Sequence, residues 1–199
     1  MSELFSIQLQ NRQQQGRDGV WLDLPTTTEQ VQAALRQIGI SSDNPQSLFI
    51  SGYFAEEEKR FAIPYNLVLA SNVDELNFLA ARLETLSAGE RAELNAALQA
   101  PQSELFSIGR ITDFPENVDY YVHLPDVHGP AQLGDYYLNR SGMVNMPEEW
   151  KGGIDTAQFG RYVAQQEQGA FTQYGYLVKS GDEWQKVHEG QPVPEEYRV

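Results

Sequence analysis

The chain uses the same six residues, SELFSI, to begin two well-separated segments, Ser2–Ile7 and Ser103–Ile108. Each segment continues through a polar stretch rich in turn-forming residues and closes on a Leu-Pro pair, at Leu24–Pro25 and at Leu124–Pro125. Because side chains alternate between the two faces of a strand, the hexapeptide would place its Phe and Ile on one face in both copies. The pattern predicts two copies of a strand–turn–strand–helix unit. Convergence of two unrelated hairpins on one pattern is the alternative.

The N-terminal copy predicts a small α/β domain over residues 1–60. The runs LFSIQL, VWLDL and SLFISGYF have the composition of strands, and Asp18–Gly19 is a strong turn pair between the first two. Thr26 and Glu29 have the spacing of a capping box at the start of a helix. We expect that helix to end at Gly39, because glycine adopts the left-handed conformation common at helix ends.

Residues 61–102 predict a helical middle domain. Leucines at helical spacing indicate a helix over 71–86, with Asn72 and Glu75 as its capping box. A second helix is expected to begin near Ser87 and to end at Pro101, which cannot continue a helix.

Residues 103–199 predict a C-terminal α/β domain. LFSIGRI and YYVHL are expected strands of the second copy, followed by helices around Leu133–Leu138 and after Asp155. A terminal hairpin is expected around Ser180–Asp182, and the last ten residues are expected to be a loose end. The predicted fold class is α+β: an elongated row of small domains, with two strand–turn–strand–helix units flanking the helical middle domain.

The charge of the chain restricts its partners. There are 28 Asp and Glu against 14 Lys and Arg, a formal net charge of −14 over 199 residues. Such a surface repels nucleic acid and anionic lipid and attracts basic proteins, so we expect neither a nucleic-acid nor a membrane partner. The acids recur along the whole chain, so that folded elements can hold carboxylates at fixed spacings. Ordinary solubility is the alternative explanation of the acidity.

Several classes of protein are disfavoured by what the chain lacks. It has no cysteine, which excludes disulfides and thiolate chemistry. Its start has neither the basic nor the apolar region of a signal peptide, and no run is long enough for a membrane span. We therefore expect a soluble, cytoplasmic protein.

No feature of the sequence predicts catalysis. The common nucleotide-binding, metalloprotease, hydrolase and EF-hand motifs do not occur. His123, Asp126 and His128 in HLPDVH are metal-ligand types, but their spacing matches no standard zinc pattern and Pro125 interrupts any helix. We predict no enzyme activity, no cofactor and no metal.

Three stretches, in the correct order, resemble the ArdA antirestriction family. They are GVWLDLP at Gly19–Pro25, DELNFLAARLETL at Asp74–Leu86, and the long segment Leu133–Leu177. In that last segment the family tends to show Y-Y, then a Pro a few residues past a Gly, then I-D, G-R, G-x-F and G-Y. The chain departs from the family in its longer turn NRQQQGRDG, and in Tyr162, which follows Gly160–Arg161 where the family often has an acid.

The resemblance implies an acidic, elongated homodimer that imitates bent B-form DNA. Such a protein would occupy the DNA-binding groove of the methyltransferase core of type I restriction–modification enzymes and inhibit them. Proteins of this kind are expected in the cytoplasm, encoded on mobile genetic elements, and without a cofactor. Duplex DNA carries about one charge per 1.7 Å of axis, so a mimic needs carboxylates at similar spacing on a rigid body.

The resemblance and the distribution of acids together predict a DNA-mimic surface and a dimer interface. The surface would comprise Glu56, Glu57, Glu58, Asp74, Glu75, Glu84, Glu90, Glu93, Asp113, Glu116, Asp119, Asp126, Asp135, Glu148, Glu149 and Asp155. The dimer-interface candidates are Tyr136, Tyr137 and Trp150. For each acid, ordinary solvated charge is the alternative.

Two other functions are open at this point. The first is an acidic adaptor that docks on basic or apolar protein surfaces without mimicking DNA. Competition with duplex DNA for a restriction–modification enzyme separates the adaptor from the mimic. The second is a hydrolase that uses a carboxylate pair, which would require a cleft and a perturbed carboxylate.

Overall fold

The computed structural model describes residues 4–14, 18–56, 61–101 and 103–198. The chain divides into two compact units. The first comprises Met1–Ser87, Leu105–Glu116 and Gln185–Val199, and the second comprises Ala88–Glu104 and Asn117–Trp184. Each unit has its own three-stranded antiparallel sheet, so the predicted mixture of helices and strands is confirmed. The units do not follow the domain boundaries predicted near residues 60 and 102: residues 61–87 belong to the first unit, and two later segments return to it.

The sheet of the first unit contains the three strands predicted near the N-terminus. They are β1 (Phe5–Asn11), β2 (Val20–Leu24) and β3 (Leu48–Phe54), in the order β2-β1-β3. Alternate side chains of β1 are buried and half-buried, so one face of the sheet forms core and the other is open. Helix α1 (Thr28–Gln37) buries Val31 and Ala34.

The cap of α1 lies one residue later than predicted. The side chain of Thr27, not Thr26, accepts the backbone N–H of Gln30, whose side chain returns a bond to the N-cap backbone. Thr26 instead donates its backbone N–H to the Asn77 side-chain oxygen, at 2.7 Å. Gly39 ends the helical segment with φ +68°, as predicted.

The described part of the first unit also contains the α-helices α2 (Tyr65–Ala70), α3 (Val73–Glu84) and α5 (Ile108–Thr112). Helix α3 begins with the predicted capping box, in which Asn72 and Glu75 exchange side-chain to backbone bonds. It buries Leu76, Leu79 and Leu83 along one stripe and packs against α5. Helix α2 was not predicted from the sequence.

The second SELFSI copy does not form the predicted strand, which corrects the proposed repeat. Ser107 has extended backbone angles, and its side chain accepts the backbone N–H of Arg110 at 3.2 Å, which makes it the N-cap of α5. In the first copy the equivalent residue, Ser6, lies inside β1 and donates to Asp23 at 2.6 Å. The two copies therefore adopt different secondary structure.

The second unit has the sheet order β4-β6-β5. Its elements are β4 (Tyr121–Leu124), β5 (Ala170–Thr172), β6 (Gly175–Lys179), α4 (Ala88–Gln99), α6 (Pro130–Asp135), α7 (Glu148–Lys151) and α8 (Thr156–Glu167). A π-helical turn, Tyr136–Arg140, extends α6. Val127, Leu133 and Tyr176 form a buried core cluster between the sheet and the helices. The helix predicted after Asp155 is confirmed, with the Asp155 carboxylate accepting two N–H groups of its first turn.

Helices α6 and α8 approach closely at two glycines. A Cβ added to Gly160 would lie 1.8 Å from the Pro130 carbonyl oxygen, and one added to Gly134 would lie 1.9 Å from that of Thr156. Any side chain at either position would separate the helices. The two glycines therefore allow α6 and α8 to pack closely.

Two predictions for the end of the chain are wrong. The C-terminal hairpin is formed by β5 and β6, and residues 183–189 contain no strand. The last residues are anchored: the Tyr197 ring lies 4.8 Å from that of Phe78, and the Asn77 side chain donates to the Tyr197 carbonyl at 3.1 Å. Within the described residues, the helices fall short of the length and apolarity that a membrane crossing requires.

Candidate functional site

The acids of the predicted DNA-mimic surface differ in accessibility. Glu57 and Glu58 lie outside the described residues. The exposed members are Glu56, Glu116, Asp119, Asp126, Glu148, Glu149 and Asp155, and the half-buried members are Asp74, Glu75, Glu84, Glu90, Glu93 and Asp135. Asp113 alone among the described members is buried, with 0% of its surface exposed. All but one of the described acids therefore reach solvent.

The structure corrects the prediction for Asp113. Its carboxylate accepts the backbone N–H groups of Val187, His188 and Glu189, at 3.3, 2.6 and 3.1 Å. Such a carboxylate is satisfied by donors of its own unit and is not available to a partner. Asp113 holds the C-terminal segment on the first unit.

In the first unit, several surface acids also stabilise the fold. Asp74 and Glu75 lie in the first turn of α3, where the helix dipole favours negative charge, and Glu75 completes the capping box. Glu116 forms an ion pair with Arg82. Part of the acidity of this unit is therefore compensated internally, and the side chains are held in defined positions.

In the second unit, Glu90, Glu93 and Asp119 form a crowded set of carboxylates. Burial, and then the charges of Glu90 and Asp119, raise the pKa of Glu93 to about 8. The Glu93 Oε1 atom is buried and has no hydrogen-bond partner among the described residues. Burial and neighbouring like charges make the ionised form of Glu93 costly in the free protein, and a cation supplied by a partner would relieve that cost.

Asp135, Glu148, Glu149 and Asp155 of the second unit lie on or at the start of helices α6, α7 and α8, and Asp126 lies in the turn after β4. Asp135 pairs with Arg140 at 3.1 Å, and Glu148 pairs with Lys151 at 2.6 Å. Asp155 caps α8, as described above. Because these pairs are exposed, they contribute little stability, but they limit where each carboxylate can be.

The three dimer-interface candidates have different environments. Trp150 is 66% exposed on α7, which is unusual for so large an apolar side chain. Tyr136 packs edge-on against Tyr137, with 5.5 Å between ring centroids. The Tyr137 hydroxyl donates to Glu167, which also accepts from Tyr176 at 3.0 Å, and burial and Glu167 raise the pKa of both tyrosines. The Tyr137 hydroxyl is thus used inside its unit.

His123 and His188 have neighbours within the fold that bear on metal binding. His123 Nε2 lies 2.7 Å from the Tyr174 carbonyl oxygen. Ligand atoms of Asp113, Glu116 and His188 lie within 4.8 Å of one another. Since the Asp113 carboxylate is satisfied by backbone donors and Glu116 by Arg82, a cation there would have to displace existing bonds. We assign no metal to this cluster.

Sequence analysis missed one surface, the open face of the first sheet. Trp21 and Phe54 are 49% and 59% exposed there, and their ring centroids are 6.5 Å apart. The alternation in VWLDL contains the signal, because it places Trp21 on the same face as Asp23, opposite Leu22 and Leu24.

One known family matches most of the chain. The family described as "Antirestriction protein (ArdA)" has a sequence model that matches residues 15–178, most of the chain. No curated protein matches the chain significantly. Antirestriction is the inhibition of restriction enzymes, so the match implies interaction with such enzymes and a role that needs no catalysis of its own. The chain belongs to the ArdA antirestriction protein family.

Proposed function

We propose that the chain inhibits type I restriction–modification enzymes by placing its carboxylates where the methyltransferase core binds DNA phosphates. The observation that carries this proposal is the close grouping of Glu90, Glu93 and Asp119, in which burial, and then the charges of the other two acids, raise the pKa of Glu93 to about 8. Part of the cost of ionising Glu93 is repulsion from these two like charges. A groove lined with Lys and Arg would turn it into charge-assisted hydrogen bonds.

The composition supports the same conclusion. The net charge of −14 is distributed over described helices and loops of both units, and not confined to one tail. Many of the acids are fixed by caps or ion pairs, as Glu75, Glu116 and Asp155 show. Fixed carboxylates lose less side-chain entropy on binding than freely rotating ones, so they are better substitutes for the phosphates of a stiff duplex.

The proposed mechanism predicts broad inhibition. Contacts to phosphates position a protein on DNA but carry no base sequence. An inhibitor that uses only those contacts would act on type I enzymes that recognise different DNA sequences.

The proposal includes an elongated arrangement and a homodimer, which the family resemblance implies. A row of small domains and a two-fold axis would extend the charged path along the enzyme groove. Trp150, Tyr136 and Tyr137 remain the proposed contact region of the dimer. Small-angle scattering and sedimentation of the full chain test both features.

Two matched charge variants test the proposed surface. The first neutralises Glu90, Asp119, Asp126 and Glu149 as amides, and the second neutralises Asp43, Glu183, Glu195 and Glu196, which are exposed acids outside the proposed surface. Both change the net charge equally, so long-range attraction is matched. We expect the first to weaken inhibition of a type I methyltransferase by at least tenfold and the second by about twofold.

Three outcomes would count against the proposal. Equal loss in the two variants would mean that overall charge, and not the placed carboxylates, determines inhibition. A single acid-to-amide change that abolishes inhibition in a folded protein would indicate a pocket or a catalytic mechanism. Binding of the chain that leaves DNA on the enzyme would favour the acidic adaptor.

A further inference from the structure

The open face of the first sheet carries an aromatic pair that the fold does not bury. Trp21 on β2 and Phe54 on β3 lie on either side of β1, with 6.5 Å between ring centroids and an interplanar angle of 74°. A Cβ added to Gly52 of β3 would lie 3.1 Å from the Trp21 ring, so the indole extends across β1 as far as β3. Two large aromatic rings are thus kept together at the surface.

Carboxylates border this aromatic pair. Asp23 and Glu56 line a hollow of about 220 Å³ together with Phe54, at the end of the sheet. Asp23 is exposed and is oriented by Ser6, which donates to one of its oxygens at 2.6 Å. Aromatic faces beside an oriented carboxylate are the combination that a guanidinium group prefers, because it stacks and forms hydrogen bonds at the same time.

The first unit already uses this chemistry internally. The guanidinium of Arg12 lies over the Phe49 ring at 5.3 Å, and that of Arg110 lies over the Phe106 ring at 4.9 Å. Phe49 belongs to β3, the strand that also carries Phe54. A guanidinium group can therefore lie over a Phe ring of this sheet.

We propose that the Trp21–Phe54 face, defined by Trp21, Phe54, Asp23 and Glu56, docks an arginine-bearing segment of the restriction enzyme. The proposal rests on the proposed function for the identity of the partner. A second copy of the chain is a poor occupant, because Asp23 and Glu56 of two copies would meet like charges in a protein of net charge −14. Stacking on the aromatic rings of the Trp21–Phe54 face would add affinity for the enzyme that does not come from the release of counterions.

Peptides test the chemistry of the face without the enzyme. Octa-arginine and octa-lysine carry equal charge, and calorimetry compares their binding to the full chain and to the variant Trp21→Gln/Phe54→Gln. We expect the full chain to prefer octa-arginine by about tenfold, and the variant to lose most of that preference. Equal binding of the two peptides by the unaltered chain would overturn the proposal.

The enzyme tests its biological use. Affinity of Trp21→Gln/Phe54→Gln for a type I methyltransferase core should fall about tenfold, with the same dependence of log Kd on log salt as the unaltered chain. Tyr162→Gln, a change of an aromatic residue that is 60% exposed on α8, is the matched control and should bind normally. The single variant Phe54→Gln, at the end of β3, should lose less affinity for the methyltransferase core than the double variant. Thermal unfolding of each variant shows whether it is folded, so that a loss of affinity is not mistaken for misfolding.

The two proposals fail separately. If the unaltered chain does not bind the methyltransferase core, the proposed function fails. If it binds and the double variant binds equally well, the docking proposal fails alone. A change in the sedimentation of the double variant from dimer to monomer would also overturn it, because the face would then serve a second copy.

Discussion

The Asp113 carboxylate accepts the backbone N–H of His188 at 2.6 Å, across 75 residues of chain. Neighbouring N–H groups of Val187 and Glu189 donate to the same carboxylate. The His188 ring lies edge-on to Phe78, at 4.9 Å between ring centroids. One buried acid and one aromatic side chain therefore fix the C-terminal segment to the first unit.

Replacing Asp113 by Ala should destabilise the first unit by about 3 kcal/mol, because three backbone donors lose their charged acceptor. Chemical denaturation measures the loss, and hydrogen exchange should show faster exchange at residues 187–189. Asp126→Asn, a change of an exposed acid, should leave the midpoint within error. Unaltered stability of Asp113→Ala would mean that these bonds contribute nothing to folding.

The contact between α6 and α8 predicts opposite effects for two glycines of the second unit. Gly160→Ala should cost about 3 kcal/mol, since the new methyl group meets the Pro130 carbonyl and the helices must separate. Gly89→Ala, in the first turn of α4 with no atom within 4 Å of the new methyl group, should stabilise by about 0.5 kcal/mol. Thermal unfolding of both variants is the measurement. Equal effects would show that the close approach of the helices is absent in solution.

Glu93 should make stability depend on pH. Its pKa is raised to about 8 in the folded chain, against an ordinary value of 4.5. Between these two values the folded chain holds a proton that the unfolded chain has lost, so stability falls as pH rises through this window. Glu93→Gln cannot ionise and should therefore be more stable than the unaltered chain above pH 8, by about 1 kcal/mol after screening by solvent.

The control for this experiment is Glu149→Gln, which makes the same acid-to-amide change at an exposed position of α7. It should show no growing difference from the unaltered chain between pH 5 and 9. Parallel stability curves of Glu93→Gln and the unaltered chain over that range would mean that burial and the charges of Glu90 and Asp119 do not raise the pKa of Glu93 in solution.

Dimerisation gives a fourth prediction. Trp150→Glu should shift the chain toward monomer in sedimentation equilibrium, because a charge would enter the proposed contact region. Tyr137→Phe should not, since the Tyr137 hydroxyl is used by Glu167 within its own unit. A dimer unaffected by Trp150→Glu would place the interface elsewhere.

Local signals in the sequence were sufficient where the structure depends on neighbouring residues. The capping box of Asn72 and Glu75, the cap by Asp155 and the helix end at Gly39 were all predicted, because each involves bonds within a few residues. The first three strands were also predicted, from the β-rich composition of their segments.

The repeated hexapeptide SELFSI shows that a local sequence does not by itself determine secondary structure. Both copies have the same composition, yet Ser6 lies in a strand and Ser107 caps a helix. The residues that follow decide the difference. QLQN continues the alternation and pairs with two strands, whereas GRIT contributes helical turns that pack against α3. Identity over six residues did not outweigh tertiary context.

The acidic character of the candidate site could be predicted from the sequence, but the role of its individual residues could not. Acidic residues along the chain indicated a charged surface, and most of those described do reach solvent. Asp113 could not be distinguished from them, because its three backbone donors come from a segment that was expected to form a strand. The exposed pair of Trp21 and Phe54 required the register of β1 with both of its neighbours.

The central claim is that carboxylates of this chain take the place of DNA phosphates in a type I methyltransferase. Its most direct test is displacement of labelled duplex DNA from that enzyme by the full chain, at about 50 and 200 mM salt, where DNA-like contacts weaken steeply. The account predicts complete, stoichiometric displacement at the lower concentration, and displacement that requires far more protein at the higher one. DNA that stays bound at both, while the chain binds the same enzyme, would contradict it.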